Sequence, residues 1–242
     1  MTDLLTEKIS DNIKRIRERM AEAAVKSGRP ADAVRLIAVS KTVGYDAVKA
    51  AIRAGQREFA ENRVQVLEEK LAGFAEDTDA ENDAAMQAIR WHLIGRLQTN
   101  KVKYCAGKVC LIHSLDRIGL AEEISRFAVR HGLDVHCLLQ INVSGEESKA
   151  GLTQEEINEF LEQFSLLDNI YIDGLMTMAP LGAEEAFLRK IFAKTREISI
   201  DISRQNVHNV SMTELSMGMS GDFEAAILEG ATMVRIGTAI FS

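Results

Sequence analysis

Short apolar, often β-branched runs recur along the chain at 34–40 (VRLIAVS), 57–61 (REFAE), 90–95 (RWHLIG), 109–115 (VCLIHSL), 134–142 (DVHCLLQIN), 170–178 (IYIDGLMTM), 214–218 (ELSMG) and 233–241 (MVRIGTAIF). Their length and composition read as strands. Between them lie amphipathic helical patterns at 45–54, 62–73, 96–106, 117–131, 153–166, 182–203 and 221–230, and a further helix, near 3–27, precedes the first strand. Strands alternating with helices pair in parallel through right-handed crossovers. Eight such strands in 242 residues predict an α/β fold: a single (β/α)8 TIM-type barrel with an extra N-terminal helix. An open doubly wound sheet is the alternative. The chain stops after the eighth strand, so the eighth helix is expected to be missing, with the N-terminal helix covering that face. One domain over 1–242 is expected. The acidic piece AGFAEDTDAENDAAM at 72–86 reads as a surface loop or frayed helix end, because the same rhythm continues on both sides.

In such a barrel the chemistry gathers where strands end and helices begin, and polar residues fall there. Strand one ends in Lys41, strand two in Glu61-Asn62-Arg63, and strand three leads to Arg96. Strands four, five and six lead to His113-Ser114, Asn142 and Met176-Thr177-Met178. Strand seven gives Ser216-Met217-Gly218-Met219-Ser220-Gly221, and strand eight Arg235-Ile236-Gly237-Thr238. The segment SMGMSGDFEAAILEG reads as a strand end, a small-residue turn and a helix starting near Ser220. Backbone N–H groups and the helix dipole favour an anion at such a turn, and loops seven and eight are the usual phosphate site of these barrels. Ser220 also fits a plain helix N-cap. Arg235 and Gly237 share a strand face. If that face is the interior, the guanidinium stands beside the phosphate site; the alternative is a buried ion pair with a carboxylate such as Glu61.

Lys41 is the unusual residue. A lysine desolvated at a barrel mouth has a lowered pKa, and a neutral amine can attack an aldehyde. Together with a phosphate cradle and an arginine, it would suit pyridoxal 5′-phosphate (PLP). A strand-end lysine is also commonly an ion-pair partner or a snorkelling surface residue.

Composition narrows the partners. Lys+Arg number 29 and Asp+Glu 36, a formal charge of −7, which argues against general affinity for nucleic acid or anionic membrane. No apolar run reaches membrane-span length, and the charged N-terminus lacks a signal-peptide core. Cys105, Cys110 and Cys137 form no CxxC pair, so reduced thiols in a cytoplasmic compartment are expected. The five histidines are scattered in sequence, and no metal site is expected. With no extended apolar patch legible, a monomer is expected.

The segments LIAVSKT, FAENRVQ, WHLIGRLQTNK, IHSLD, QINVSGEESKAG, GLMTMAP, LSMGMSGDFEAAI and VRIGTAIF together resemble the PLP homeostasis protein family, PLP-binding barrels similar to the N-terminal domain of bacterial alanine racemases. The resemblance covers essentially the whole chain. It implies that Lys41 bears PLP covalently as a Schiff base and that Arg235 faces the pyridine nitrogen. It also implies that Ser216, Ser220, Gly221, Gly237 and Thr238 hold the phosphate, without settling which serine bonds it directly. Asn62 would lie near the ring or Lys41. Met217 and Met219 either pack around the ring or belong to the core. An arginine, which only donates, favours an unprotonated ring nitrogen and so a weaker electron sink. A racemase adds a base from a second domain, whereas Tyr45, Tyr104 and Tyr171 match no such motif here. The resemblance therefore implies a PLP carrier and buffer supplying apoenzymes, without established turnover. The alternatives are an amino-acid racemase of low activity and a phosphate-binding barrel enzyme without PLP. Lys149, in SGEESKAG, reads as an exposed ion-paired lysine or a secondary PLP contact.

Overall fold

A computed structural model describes residues 2–77, 84–146 and 150–242. Its strands are β1 (Arg35–Val39), β2 (Glu58–Glu61), β3 (Arg90–Leu93), β4 (Leu111–Leu115), β5 (Val135–Gln140), β6 (Ile170–Met176), β7 (Val210–Ser216) and β8 (Met233–Ile236). They hydrogen-bond in chain order, and β8 returns to β1 to close a parallel barrel. The doubly wound alternative is thereby excluded.

Side-chain alternation along each strand divides the apolar residues into two cores. Ile37, Val39, Ala60, Leu111, Leu138, Met176 and Met233 fill the barrel interior. The intervening positions, among them Leu36, Ala38, Phe59, Trp91, Leu93 and Ile112, join the larger core under the helices. Those helices are α1 (Thr2–Lys26), α2 (Tyr45–Arg53), α3 (Val64–Glu76), α4 (Ala84–Gln87), α5 (Val102–Cys105, entered through a 3-10 turn at Thr99–Lys101), α6 (Ile118–His131), α7 (Glu156–Phe164), α8 (Glu185–Ser203), α9 (Phe223–Leu228) and α10 (Thr238–Phe241). Among the described residues none is long and apolar enough to cross a membrane.

Several boundaries depart from the sequence expectation: the helix expected at 96–106 shrinks to the 3-10 turn and α5, and two strand ends differ most. The run 233–241 is not one strand: β8 stops at Ile236 and the chain turns at Gly237 into α10. β7 begins at Val210, earlier than expected, because its outer half is exposed and alternates with polar residues. The short α10 does not replace an eighth outer helix. α1 instead contacts α2, α9 and α10, burying Ile9, Ile13, Ile16 and Met20 at helical spacing. Asn12 Nδ2 donates to Ile240 O at 2.9 Å and ties α1 to the chain's end. The centre of the acidic piece, at 78–83, lies outside the described residues, and so does Lys149.

Candidate functional site

β1 buries Ser40 and then releases Lys41 into solvent. Lys41 continues the interior alternation of Ile37 and Val39, so it rises from the barrel's inner face at the carboxyl end of the strands. It is exposed rather than desolvated, because the strand ends at Val39 and the chain turns at once. What fixes this turn lies on the opposite face. Ser40 Oγ donates to Glu61 Oε1 at 2.6 Å. Lys70 of α3 donates to Ser40 O at 2.6 Å and pairs with Glu61 Oε1. Ser40, Glu61 and Lys70 are all buried.

Glu61 is thus engaged by Lys70, and Arg235 is held elsewhere. Arg235 Nη1 donates to Ser216 Oγ at 2.6 Å, and Nη2 donates to Thr177 O at 2.9 Å. The expected alternative of an Arg235–Glu61 ion pair is therefore not formed. Burial pushes the Arg235 guanidinium down to about 10, while the nearby Asp222 charge acts in the opposite direction, so it stays protonated at neutral pH. Arg235 pairs in register with Ile37. Lys41 follows two residues after the end of β1, so it stands further toward the mouth than Arg235.

The two loops expected to hold a phosphate converge. Ala239 N–H, at the start of α10, donates to Ser220 Oγ at 3.5 Å. Met219 N–H donates to Asp222 Oδ1 at 2.5 Å, and Arg235 N–H to Gly218 O at 3.0 Å. Gly218 has φ +94°, and a Cβ there would sit 2.7 Å from Ala226 Cβ. The loop could not fold this tightly with a side chain at that position. At Gly237 a Cβ would lie 2.9 Å from Val39 O, so glycine lets the end of β8 press against β1 directly below Lys41. Gly221 and Thr238 are exposed on the rim and Ser220 is half-buried. α9 begins at Phe223 with Asp222 at its boundary, so Ser220 is not that helix's N-cap. Ser216 lies deeper, fully buried beneath Arg235. Met217 belongs to the core under the helices, while Met219 is half-buried in the loop. Asn62 is half-buried at the end of β2. Tyr45 starts α2, and its hydroxyl donates to Asp77 Oδ2 at 2.9 Å.

A buried pair is not visible in the sequence pattern. His92 of β3 and His113 of β4 meet inside the barrel, Nδ1 to Nε2 at 3.0 Å, and His113 Nδ1 lies 2.9 Å from Ser216 Oγ. Burial, reinforced by Arg35 and Arg90, pushes His92 down to about 3. Burial, reinforced by His92, Arg235 and Arg35, pushes His113 well below its ordinary value. Both rings are neutral in the folded protein near neutral pH, whereas in the unfolded chain they take up protons below about pH 6.5. Each therefore costs nothing above that pH and destabilises the fold by roughly 1.4 kcal/mol per pH unit below it, until its folded pKa is reached. Denaturant melts from pH 7 to 5 are expected to show this loss, and replacing His113 with a non-titrating residue should reduce it by roughly half, His92 still contributing.

Residues 6–242 match the family model "Alanine racemase, N-terminal domain". A "Pyridoxal phosphate homeostasis protein" of Aquifex aeolicus is 42% identical over 231 residues, covering 96% of each chain. The chain belongs to the pyridoxal phosphate homeostasis protein family. The protein of that name in Escherichia coli (strain K12) is 36% identical, covering 96% of this chain and 95% of its own. The solved structure of PipY from Synechococcus elongatus, described with PLP bound, is 37% identical with a TM-score of 0.78, covering 94% of this chain and all of that one. These relatives are named as homeostasis proteins rather than as enzymes.

Proposed function

We propose that this chain holds PLP reversibly, covalently at Lys41, and serves as a carrier and buffer that supplies PLP to apoenzymes. The observation that carries the reading is the arrangement of the barrel mouth. An exposed amine at the end of β1, a buried guanidinium on β8 and two converging loops after β7 and β8 share one end of the barrel. Family membership, and the PLP-bound state named for PipY, support the same reading.

When bound, the cofactor supplies an aldehyde that exchanges between amines. Each residue of the chain then has a task. Lys41 supplies the amine. Arg235 would donate toward the ring nitrogen and, being cationic, would keep a proton off it. Ser220, Gly221, Gly237 and Thr238 offer a hydroxyl or backbone N–H groups to the phosphate. Ser216 serves from below, by orienting Arg235, since its oxygen is already occupied. Asn62 borders the ring side. The exposure of Lys41 leaves its covalent partner open to competing amines, as a transfer protein requires. A ring nitrogen facing a cation would give weak carbanion stabilisation, which disfavours reactions such as transamination that need the ring as a strong electron sink.

The loaded protein, mixed with a PLP-dependent apoenzyme, is expected to restore that enzyme's activity, and to form no D-alanine from L-alanine. Failure to reactivate the apoenzyme, or steady alanine racemisation lost on mutating Lys41, would overturn the carrier reading.

A further inference from the structure

The interior of the barrel below the mouth is not wholly apolar. A line of polar groups crosses it: Arg235 Nη1 to Ser216 Oγ at 2.6 Å, Ser216 Oγ to His113 Nδ1 at 2.9 Å, and His113 Nε2 to His92 Nδ1 at 3.0 Å. His92 Nε2 then lies 3.4 Å from Cys110 Sγ and 3.8 Å from Glu58 Oε2. Glu58 Oε2 is a buried oxygen with no hydrogen-bond partner among the described residues. Glu58 also lines a cavity of about 460 Å³ with Arg35, Gln56 and Arg57, around the amino ends of β1 and β2.

Elementary donor counting gives this line a direction. Arginine can only donate, so Ser216 Oγ accepts from Arg235. A buried hydroxyl proton left without an acceptor is costly, and His113 Nδ1 is the acceptor at bonding distance. His113 is then protonated on Nε2 and donates to His92 Nδ1. His92 is in turn protonated on Nε2 and donates to Cys110 Sγ, with Glu58 Oε2 close by but not bonded. The opposite direction would strand the Ser216 proton. The low pKa values of both rings agree with one proton on each.

We propose that His113 and His92 are positioning residues for Arg235, forming with Ser216 a one-directional hydrogen-bond relay that runs from the guanidinium at the barrel mouth to the Cys110 sulfur, beside Glu58 at the far end. The relay commits one Arg235 N–H to Ser216, and Thr177 O takes a second. The remaining donors of the five are left for the mouth. Neutral rings hold the guanidinium without adding a positive charge beneath it. This role toward the ring nitrogen rests on the PLP reading, but the relay itself does not.

Two measurements separate these. Long-range proton–nitrogen NMR of the histidine-labelled protein, before and after PLP addition, is expected to find His92 and His113 protonated on Nε2 alone and unchanged between pH 8 and 5.5. A proton on Nδ1 of either ring, or titration in that range, would overturn the relay whether or not PLP binds. PLP titration followed by absorbance is expected to show His113→Leu weakened roughly tenfold, as the Ser216 hydroxyl loses its acceptor. His113→Asn, whose amide oxygen can accept from Ser216, should stay within about threefold of the parent on the same reasoning. Equal affinity in the folded Leu variant would overturn the positioning role. If the Leu variant does not fold, a roughly tenfold loss in Ser216→Ala on the same grounds supports the role, and parental affinity there overturns it. A parent protein that takes up no PLP would instead sink the cofactor reading, while the ring protonation seen by NMR would still decide the relay.

Discussion

A Lys41→Ala protein is expected to fold as the parent does and to lose covalent PLP entirely. Lys41 is exposed and has no ion pair among the described residues, so its removal should change stability by no more than about 0.5 kcal/mol. The effect on PLP should be large, because every other group of the mouth can only bind non-covalently. Arg235 and the loops around Ser220 and Gly237 would retain a weak residue of binding. A loss of roughly 3 kcal/mol or more, about a hundredfold in affinity, is expected. Absorbance titration and gel filtration of the loaded protein read it directly. Retention of the visible band in the variant would remove Lys41 from its role.

The second large effect is expected at Lys70, which touches nothing in the mouth but holds the end of β1. Its ammonium lies in a buried pair with Glu61 and bonds Ser40 O, the carbonyl just before Lys41. Glu61 is fully buried, and its Oε2 has no hydrogen-bond partner among the described residues. Lys70→Met would leave an uncompensated carboxylate in the core, at a cost of about 3–5 kcal/mol. Adding Glu61→Gln should recover much of that loss, because the stranded charge is gone. Denaturant unfolding of both variants decides it; a loss below about 1 kcal/mol in Lys70→Met would contradict a buried charged pair.

Much of this architecture was legible in the chain, for a physical reason. Parallel strands buried on both faces read as short apolar runs, and the helices between them carry clear apolar stripes, so the order of elements followed from periodicity. The polar strand ends marked the mouth for the same reason. The misread end at 233–241 shows the limit: TAIF is too short for its apolar pattern to separate helix from strand, and only the turn at Gly237 decides it. Ser220 was misplaced by one turn, because Asp222 is as good a boundary residue for α9 and sits next to the apolar run.

The interior pairings were harder to see. His92 and His113 stand 21 positions apart, and only closure of neighbouring strands makes them neighbours. A local signal did exist. His113 lies two residues after Leu111, on the inner parity of its strand, so a polar side chain inside the barrel was implied. Lys70 carried a similar mark, a charge on the apolar face of α3 between Leu67 and Leu71. Both are departures from pattern, and both place a buried polar group in a network. Of the two environments open to Lys41 from the sequence, the surface one is found, because a strand end can deliver a residue to the surface as readily as to a pocket.

The central claim, that Lys41 holds PLP, is tested most directly by borohydride reduction of the PLP-loaded protein at neutral pH followed by peptide mapping. The account predicts that reduction removes the visible band and leaves a single pyridoxyl label on Lys41. A label on another lysine, or a protein that shows no band even with added PLP, would contradict it.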